Sequence, residues 1–103
     1  MAFGFIEDVP VDEKLYGEIR ARMGDETPDG LIAHIAVKRD GGLRYIDVWE
    51  SEADWKRFHE ATVDPAVVEV LAGYGITPDP ARVTFETMDL VETWVPSKAA
   101  TPA

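Results

Sequence analysis

The chain has 103 residues, of which 46% are hydrophobic and 10% aromatic, and this is the size and composition of one globular domain. Ten basic and twenty acidic residues give a formal net charge of -10, which repels nucleic-acid phosphates and anionic membrane surfaces. The absence of cysteine excludes disulfides, thiolate zinc sites and cysteine nucleophiles. We therefore expect neither a nucleic-acid partner nor a membrane partner.

The distribution of residue types along the chain indicates a single domain. We expect this domain over residues 1–95 and a flexible tail of small and polar residues over 96–103. No apolar run approaches the ~20 residues that a membrane-spanning helix needs, and the N-terminus lacks the basic and apolar regions of a signal peptide. The expected location is cytoplasmic.

The first part of the chain predicts a strand followed by a helix. Phe3 and Phe5 lie on one face of a short extended segment, which Pro10 ends. A helix is expected from Asp12, a good N-cap, to about Met23, because Leu15, Tyr16, Ile19 and Met23 form an apolar stripe at helical spacing.

The next part predicts a β-hairpin and a second helix. Residues 31–38 and 43–50 read as two strands, the second with clear alternation, and the Asp40-Gly41 pair between them is typical of a tight turn. Ser51 is a good N-cap, so the second helix should begin at about residue 52.

The last part predicts a further helical piece and a final strand. Asp64 is a candidate N-cap and Pro65 suits the first helical position, so a helix should run to about Ala72. Its expected buried stripe consists of Val67, Val68 and Leu71. A strand should follow from Arg82 to about Trp94, with a bulge or bend near residues 87–90.

The order of these elements, βαββαβ, predicts an α+β fold of the ferredoxin-like type, an antiparallel sheet with both helices on one face. A two-residue turn at Asp40-Gly41 also fixes the register of the hairpin. One face of the hairpin is then almost entirely apolar and consists of Ala33, Ile35, Val37, Arg44, Ile46 and Val48. The reverse face is mixed and pairs Ile32 with Trp49, His34 with Asp47, and Ala36 with Tyr45. We expect the apolar face to pack against the helices and the mixed face to lie away from them.

The mixed face carries the candidate catalytic residues, His34 and Asp47. The carboxylate would orient the imidazole and favour its charged form, so His34 could donate a hydrogen bond to a ligand oxygen or act as a general base near neutral pH. Ile32, Tyr45 and Trp49 are the candidate ligand-binding residues beside this pair. The alternative is a structural pair at a subunit interface, and Tyr45 and Trp49 need burial under either interpretation.

A metal site is the remaining alternative for these residues. His34, Asp47 and His59 have the composition of a two-histidine, one-carboxylate site. They come from different layers of the predicted fold, however, because His59 lies on the second helix. We therefore predict no metal ligands.

One junction in the sequence resembles a known family. The strand end Asp47-Val-Trp-Glu-Ser-Glu52, followed by Trp55 and Phe58 on the next helix, is similar to antibiotic-biosynthesis-monooxygenase-like members of the dimeric α/β-barrel superfamily. The resemblance covers roughly residues 3–91. It implies a homodimer of ferredoxin-like protomers that pair sheet to sheet, with a pocket on the sheet face away from the helices. Members include cofactor-independent oxygenases of aromatic polyketides and quinols, heme-degrading enzymes and proteins of unknown function.

The resemblance and the mixed face lead to one functional expectation and two alternatives. We expect a small, flat, apolar or aromatic ligand to bind against Tyr45 and Trp49. Cofactor-free oxygenation would use His34 as the base and Asp47 as its orienter. A non-catalytic ligand-binding or interaction module is the first alternative. The second is an isomerase or lyase with the same base and no oxygen consumption.

Overall fold

The structure, a computed structural model, describes residues 2–95, which form a four-stranded antiparallel sheet with helices on one face. The elements in chain order are β1 (Phe3–Val9), α1 (Glu13–Met23), β2 (Leu31–Arg39), β3 (Gly42–Trp49), α2 (Glu52–Phe58), α3 (Asp64–Gly73) and β4 (Thr84–Met88). The strands lie in the order β2-β3-β1-β4, so the predicted ferredoxin-like class is confirmed. The predicted tail lies outside the described residues. Among residues 2–95, no helix has both the length and the apolar composition to cross a bilayer.

Helix α1 begins and ends where its capping residues predict. The Asp12 carboxylate accepts a hydrogen bond from the backbone N–H of Leu15 at 2.8 Å, which satisfies one of the unpaired donors of the first turn. Arg20 and Arg22 lie in the last turn, where positive charge is favourable. Gly24 ends the helix with a φ of 87°, a value that glycine adopts without steric cost.

Helices α2 and α3 form one continuous helical segment, which corrects the prediction of a separate capped helix at Asp64. A π-helical turn, His59–Val63, joins them, and the backbone N–H of Asp64 donates to the carbonyl oxygen of His59. Pro65 has no N–H, and its ring would meet a preceding carbonyl in a regular α-helix. The wider turn removes this conflict, so the chain passes through Pro65 without interruption.

Two further predictions about the second half of the chain were wrong. Val68 is 54% exposed, and the buried residues of α3 are Ala66, Val70 and Leu71. The π-helical turn adds rotation before α3, and this changes the face that the helix presents to the core. The last strand is also shorter than predicted, because β4 ends at Met88.

The hairpin register is confirmed over most of its length. His34 lies opposite Asp47 and Ile35 opposite Ile46, as the two-residue turn predicts. The pairing of Ile32 with Trp49 was wrong, because the register shifts between Leu31 and Ala33 and places Leu31 opposite Trp49. A bulge that leaves Ile32 without a directly paired residue accounts for this shift.

The helices cover the mixed face of the sheet, which reverses the predicted assignment of faces. The Tyr16 hydroxyl of α1 contacts His34, and the Phe58 ring of α2 lies 5.8 Å from that of Trp49. On the apolar face, Ile35 is 50% exposed and Val37 is 39% exposed. The polar groups of the mixed face find partners on α1 and within the sheet, so this face can be buried beneath helices at little cost.

An aromatic cluster anchors the helical layer on this face. Phe5 and Trp49 are each only 2% exposed. The rings of Phe3, Phe5 and Phe85 pack around Trp55 with centroid distances between 5.2 and 5.6 Å. Rings at these separations combine large apolar burial with favourable tilted contacts. The cluster fixes α2 over strands β1 and β4.

Candidate functional site

A cavity of about 900 Å³ lies between the sheet and the helical layer. Its walls come from β1, β2 and β3 below, from α1 and the α2–α3 segment above, and from the chain between α3 and β4. Most of the lining is apolar, and a small set of polar groups is exposed to the interior. Volume and lining are those of a site for a small organic molecule.

The polar wall of the cavity is a chain of four hydrogen-bonded side chains. The Tyr16 hydroxyl lies 2.8 Å from His34 Nε2, and His34 Nδ1 lies 2.6 Å from Asp47 Oδ1. The other carboxylate oxygen of Asp47 accepts a hydrogen bond from Trp49 Nε1 at 3.0 Å. We call Tyr16, His34, Asp47 and Trp49 the polar relay. It connects the cavity surface to a carboxylate that is only 6% exposed.

These contacts define which atoms of the polar relay carry protons. A carboxylate only accepts, so with Asp47 ionised His34 carries its proton on Nδ1 and donates to Asp47. In neutral His34, Nε2 is then the acceptor and the Tyr16 hydroxyl is the donor. A second proton on Nε2 would create an imidazolium whose Nδ1 still donates to Asp47 at 2.6 Å. The polar relay can therefore accept a proton through Tyr16.

Burial shapes the acidity of both tyrosines at the cavity. It raises the pKa of the Tyr16 hydroxyl, and the charge of Asp47 adds to this effect, while the nearby Arg20 opposes it. Burial also raises the pKa of Tyr45, and neighbouring Tyr16 and Glu7 contribute in the same direction. Both side chains therefore remain neutral phenols at physiological pH.

Glu7 is a further acidic group in the cavity wall. It lies on the central strand β1, opposite Tyr45 in β3 and Phe85 in β4. Burial raises its pKa to about 7, and the charges of Asp47 and Asp64 add to this shift. Glu7 is thus present in both protonation states near neutral pH.

The structure brings the predicted site residues to one cavity. His34, Asp47 and Tyr45 line it with Ile32, and Trp49 reaches it from the core. The hydrogen bond between His34 and Asp47 agrees with the predicted pairing. The cavity lies beneath the helices, however, and not on the sheet face away from them as predicted. The catalytic and ligand-binding roles of these residues remain predictions.

Sequence reasoning missed two polar residues of the cavity, Tyr16 and Glu7. Tyr16 was assigned only to the apolar stripe of α1, although a tyrosine in such a stripe needs a partner for its hydroxyl. Glu7 continues the alternation of Phe3 and Phe5, which places it on their face of the sheet. An acidic residue in an otherwise apolar row is the signal that could have identified Glu7.

His59 also lines the cavity, from the π-helical turn, and its Nδ1 lies 3.3 Å from an Asp64 oxygen. Within residues 2–95, no three histidine or acidic side chains are grouped so that they could hold a metal ion. His34 and His59 thus face one cavity without converging on one point.

Comparison with solved structures finds this fold in several bacterial proteins. A Chloroflexus aurantiacus protein, provisionally described as an antibiotic biosynthesis monooxygenase, gives a TM-score of 0.60 at 17% identity, over 92% of this chain and 98% of its own. Rv0793 of Mycobacterium tuberculosis gives a TM-score of 0.55 at 15% identity, over 90% of this chain and 98% of its own. NE2512 of Nitrosomonas europaea, a protein of unknown function, gives a TM-score of 0.57 at 16% identity, over 93% of this chain and 94% of its own.

No protein-family model and no curated protein matches the sequence. Identities of this size establish the fold and leave the activity open. The strand order, the helices on one face and the structural neighbours show that the chain has the antibiotic-biosynthesis-monooxygenase-like fold.

Proposed function

We propose that the cavity binds a small, flat, largely apolar phenol or enol and catalyses its oxygenation without a cofactor. The observation that carries this proposal is the polar relay, which joins a cavity-facing hydroxyl to a buried carboxylate through His34. Such a chain can remove a proton from a weakly acidic hydroxyl in apolar surroundings. The fold shared with a provisionally described monooxygenase agrees with this chemistry.

Each residue of the polar relay has a separate task in the proposed reaction. The substrate hydroxyl donates to the Tyr16 oxygen, and as its proton moves to Tyr16, the Tyr16 proton moves to His34 Nε2. Because burial raises the pKa of Tyr16, the two transfers should occur together, without a free tyrosinate. Asp47 stabilises the imidazolium that forms, and Trp49 holds Asp47 in place.

The electrons for the reaction come from the substrate itself. The electron-rich anion forms a carbon–oxygen bond with dioxygen, and protonation gives a hydroperoxide. Loss of the remaining proton on that carbon then forms a carbonyl, breaks the oxygen–oxygen bond and releases water. For anthrone the balance is C14H10O + O2 giving C14H8O2 + H2O. The protein needs only to accept and return protons.

Oxygen consumption with defined phenols and enols tests the proposal. Anthrone, 1-naphthol and naphthalene-1,4-diol are supplied in turn, and dissolved oxygen and the quinone product are followed together. We expect turnover above the spontaneous rate with at least one compound. We expect Tyr16→Phe and His34→Ala to lower turnover about 100-fold or more. His34→Ala should retain ligand binding, and Tyr16→Phe should weaken it only by the loss of one hydrogen bond, about fivefold to tenfold.

The outcomes of this experiment separate the three functional classes. Binding without oxygen uptake or product, equal in wild type and His34→Ala, would establish a ligand-binding module and contradict the enzyme. Base-dependent conversion without oxygen consumption would indicate an isomerase or lyase. The exposed Glu60→Gln variant is the matched control, because its side chain lies outside the cavity wall.

One observation favours the non-catalytic alternative. The Tyr16 hydroxyl already occupies His34 Nε2, so the polar relay is satisfied within the chain. A ligand-binding module would use the same cavity with Tyr16 and Tyr45 as hydrogen-bond donors. Under this alternative the ligand contacts the two tyrosines directly, so His34→Ala would leave ligand affinity unchanged.

We infer that the protein is a homodimer formed through the uncovered face of the sheet. This face carries Ile35 and Val37, which are largely exposed in the single chain, beside Ile46 and Val48. At one end of the sheet the charged side chains of Asp8, Arg39 and Arg44 border the apolar rows. An apolar centre with a charged rim is typical of a protein interface.

A further inference from the structure

Glu7 is the polar group of the cavity that the proposed chemistry leaves unused. It is half-buried, and none of the other residues within 2–95 gives it a hydrogen bond or an ion pair. Its position on the central strand places it among the aromatic side chains of Phe5, Tyr45 and Phe85 rather than at the edge of the sheet. A carboxyl group without a partner in such surroundings favours its neutral form.

The distance between Glu7 and the polar relay indicates the size of molecule that could contact both. His34 is on β2 and Glu7 is on β1, with β3 between them, and Glu7 is level with Ala36, two residues along β2 from His34. The backbones of Glu7 and His34 are therefore separated by roughly 12 Å. The cavity is continuous from one group to the other, across the ring of Tyr45. Two fused six-membered rings with one oxygen at each end have the length to join Tyr16 and Glu7.

We propose that protonated Glu7 is a second ligand-binding group, which donates a hydrogen bond to a carbonyl oxygen at the end of the ligand opposite its hydroxyl. This inference rests on the proposed function, because it assumes that the hydroxyl end contacts Tyr16. A donating Glu7 narrows the class of ligand to neutral hydroxy ketones. A carboxylate in place of the carbonyl would meet Asp47 and Asp64 as well as ionised Glu7, and is therefore disfavoured.

The protonation of Glu7 depends on charged groups from every surrounding element. Burial and the negative charges of Asp47 and Asp64 favour the neutral acid, and His34 when charged favours the carboxylate. The other titratable or charged groups lining the same space are Tyr16 and Arg20 on α1, Tyr45 on β3, His59 on the π-helical turn, and Asp25, Glu26, Asp79 and Arg82 on the connecting segments. Donation by Glu7 should fall as pH rises through about 7.

Two phenols that differ by one carbonyl test the inference. 6-Hydroxy-2-tetralone carries a hydroxyl and an unconjugated ketone at opposite ends of two fused rings, and 5,6,7,8-tetrahydro-2-naphthol has a methylene in place of the ketone. Affinities are measured by quenching of tryptophan fluorescence, because Trp49 and Trp55 line the cavity. We expect wild type at pH 6 to prefer the ketone about fivefold to tenfold, the effect of one hydrogen bond.

The variants and the pH dependence isolate the Glu7 contact. Glu7→Leu should lose the preference for the ketone, whereas Glu7→Gln, which keeps a donor, should retain it. In wild type the preference should disappear at pH 8.5, and in Glu7→Gln it should not change with pH. The pH series in wild type needs no substitution, so it decides the question even if a variant fails to fold.

The two hypotheses fail in different ways. In the first case both phenols bind to wild type and Tyr16→Phe lowers the two affinities equally, but the preference for the ketone is absent or does not depend on pH and Glu7. This result would contradict the Glu7 contact and leave ligand binding in the cavity supported. If neither phenol binds to wild type, the proposed function is contradicted, and the Glu7 inference falls with it.

Discussion

Asp47 is the residue on which the polar relay depends. Its two oxygens accept hydrogen bonds from His34 and Trp49, and its side chain is almost fully enclosed. Removal of the carboxylate would leave two donors facing an apolar interior, and each unsatisfied group costs about 1–3 kcal/mol. The position therefore serves stability as well as the proposed chemistry.

Asp47→Ala should lower the free energy of unfolding by about 3 kcal/mol, because both donors lose their acceptor. Urea denaturation followed by circular dichroism measures this loss. Asp64→Ala is the matched control, since its side chain is 58% exposed, and should cost less than about 1 kcal/mol. Equal losses of unfolding free energy in the two variants would show that the hydrogen bonds of Asp47 add nothing to stability.

Glu7 should make the protein less stable as pH rises. Its pKa is raised from 4.5 to about 7 on folding, so between these values the folded state binds more protons than the unfolded state. The free energy of unfolding then decreases from pH 4.5 to 7, by about 3 kcal/mol at most, and this loss persists above pH 7. Urea denaturation of wild type and Glu7→Gln at a series of pH values between 4.5 and 8.5 measures this loss of unfolding free energy.

The difference between these two proteins isolates Glu7 from the other carboxyl groups. We expect Glu7→Gln to gain stability relative to wild type as pH rises through this window, and Glu60→Gln to show no such gain. A constant difference across the window would mean that Glu7 ionises with its ordinary pKa.

At the scale of elements, the turn between β2 and β3 combines two different requirements for glycine. Gly41 has a φ of 82° and open space around it. A Cβ on Gly42 would overlap the carbonyl oxygen of Val9, because β1 passes directly beside the turn. The first position needs glycine for its backbone conformation and the second for close approach of another strand.

Gly42→Ala should therefore destabilise the protein much more than Gly41→Ala. For Gly41→Ala we expect about 1 kcal/mol, the cost of a left-handed conformation in a residue with a Cβ. For Gly42→Ala we expect about 3 kcal/mol or more, because backbone atoms of β1 must move. Thermal unfolding gives the melting temperatures of the two variants. Similar values would contradict the close approach of β1 to Gly42.

The elements themselves were largely predictable because their signals are local. The caps at Asp12 and Ser51 and the Asp40-Gly41 turn depend on neighbouring residues. They predicted the starts of α1 and α2 correctly, and the hairpin register from Ala33 onwards. The π-helical turn was missed, because Asp64 followed by Pro65 has the same local pattern as a true helix start. The difference comes from packing of the whole segment.

The candidate site was predictable only in part, for a related reason. The pairing of His34 with Asp47 followed from the hairpin register alone. The face covered by the helices did not follow, since both faces carry apolar residues and the deciding contact comes from Tyr16 on α1. Ranking the faces by apolar content gave the wrong answer, because the more apolar face remained uncovered.

At the scale of the whole molecule, the uncovered apolar face gives a prediction about assembly. Ile35→Asp should convert the proposed homodimer into a monomer, because it places a charge in the centre of the proposed interface. Val68→Asp is the control, since Val68 is similarly exposed but lies on α3, away from this face. Sedimentation velocity distinguishes the two species, and a wild-type monomer would contradict the dimer.

We propose that ligands bind between the sheet and the helices, at the polar relay. The most direct test is a titration of isotopically labelled protein with 5,6,7,8-tetrahydro-2-naphthol, followed by two-dimensional NMR. We predict that the signals of Glu7, Tyr16, His34 and Tyr45 shift together, while those of Ile35 and Val37 on the uncovered face do not. Shifts confined to the uncovered face, or no saturable shifts at all, would contradict the account.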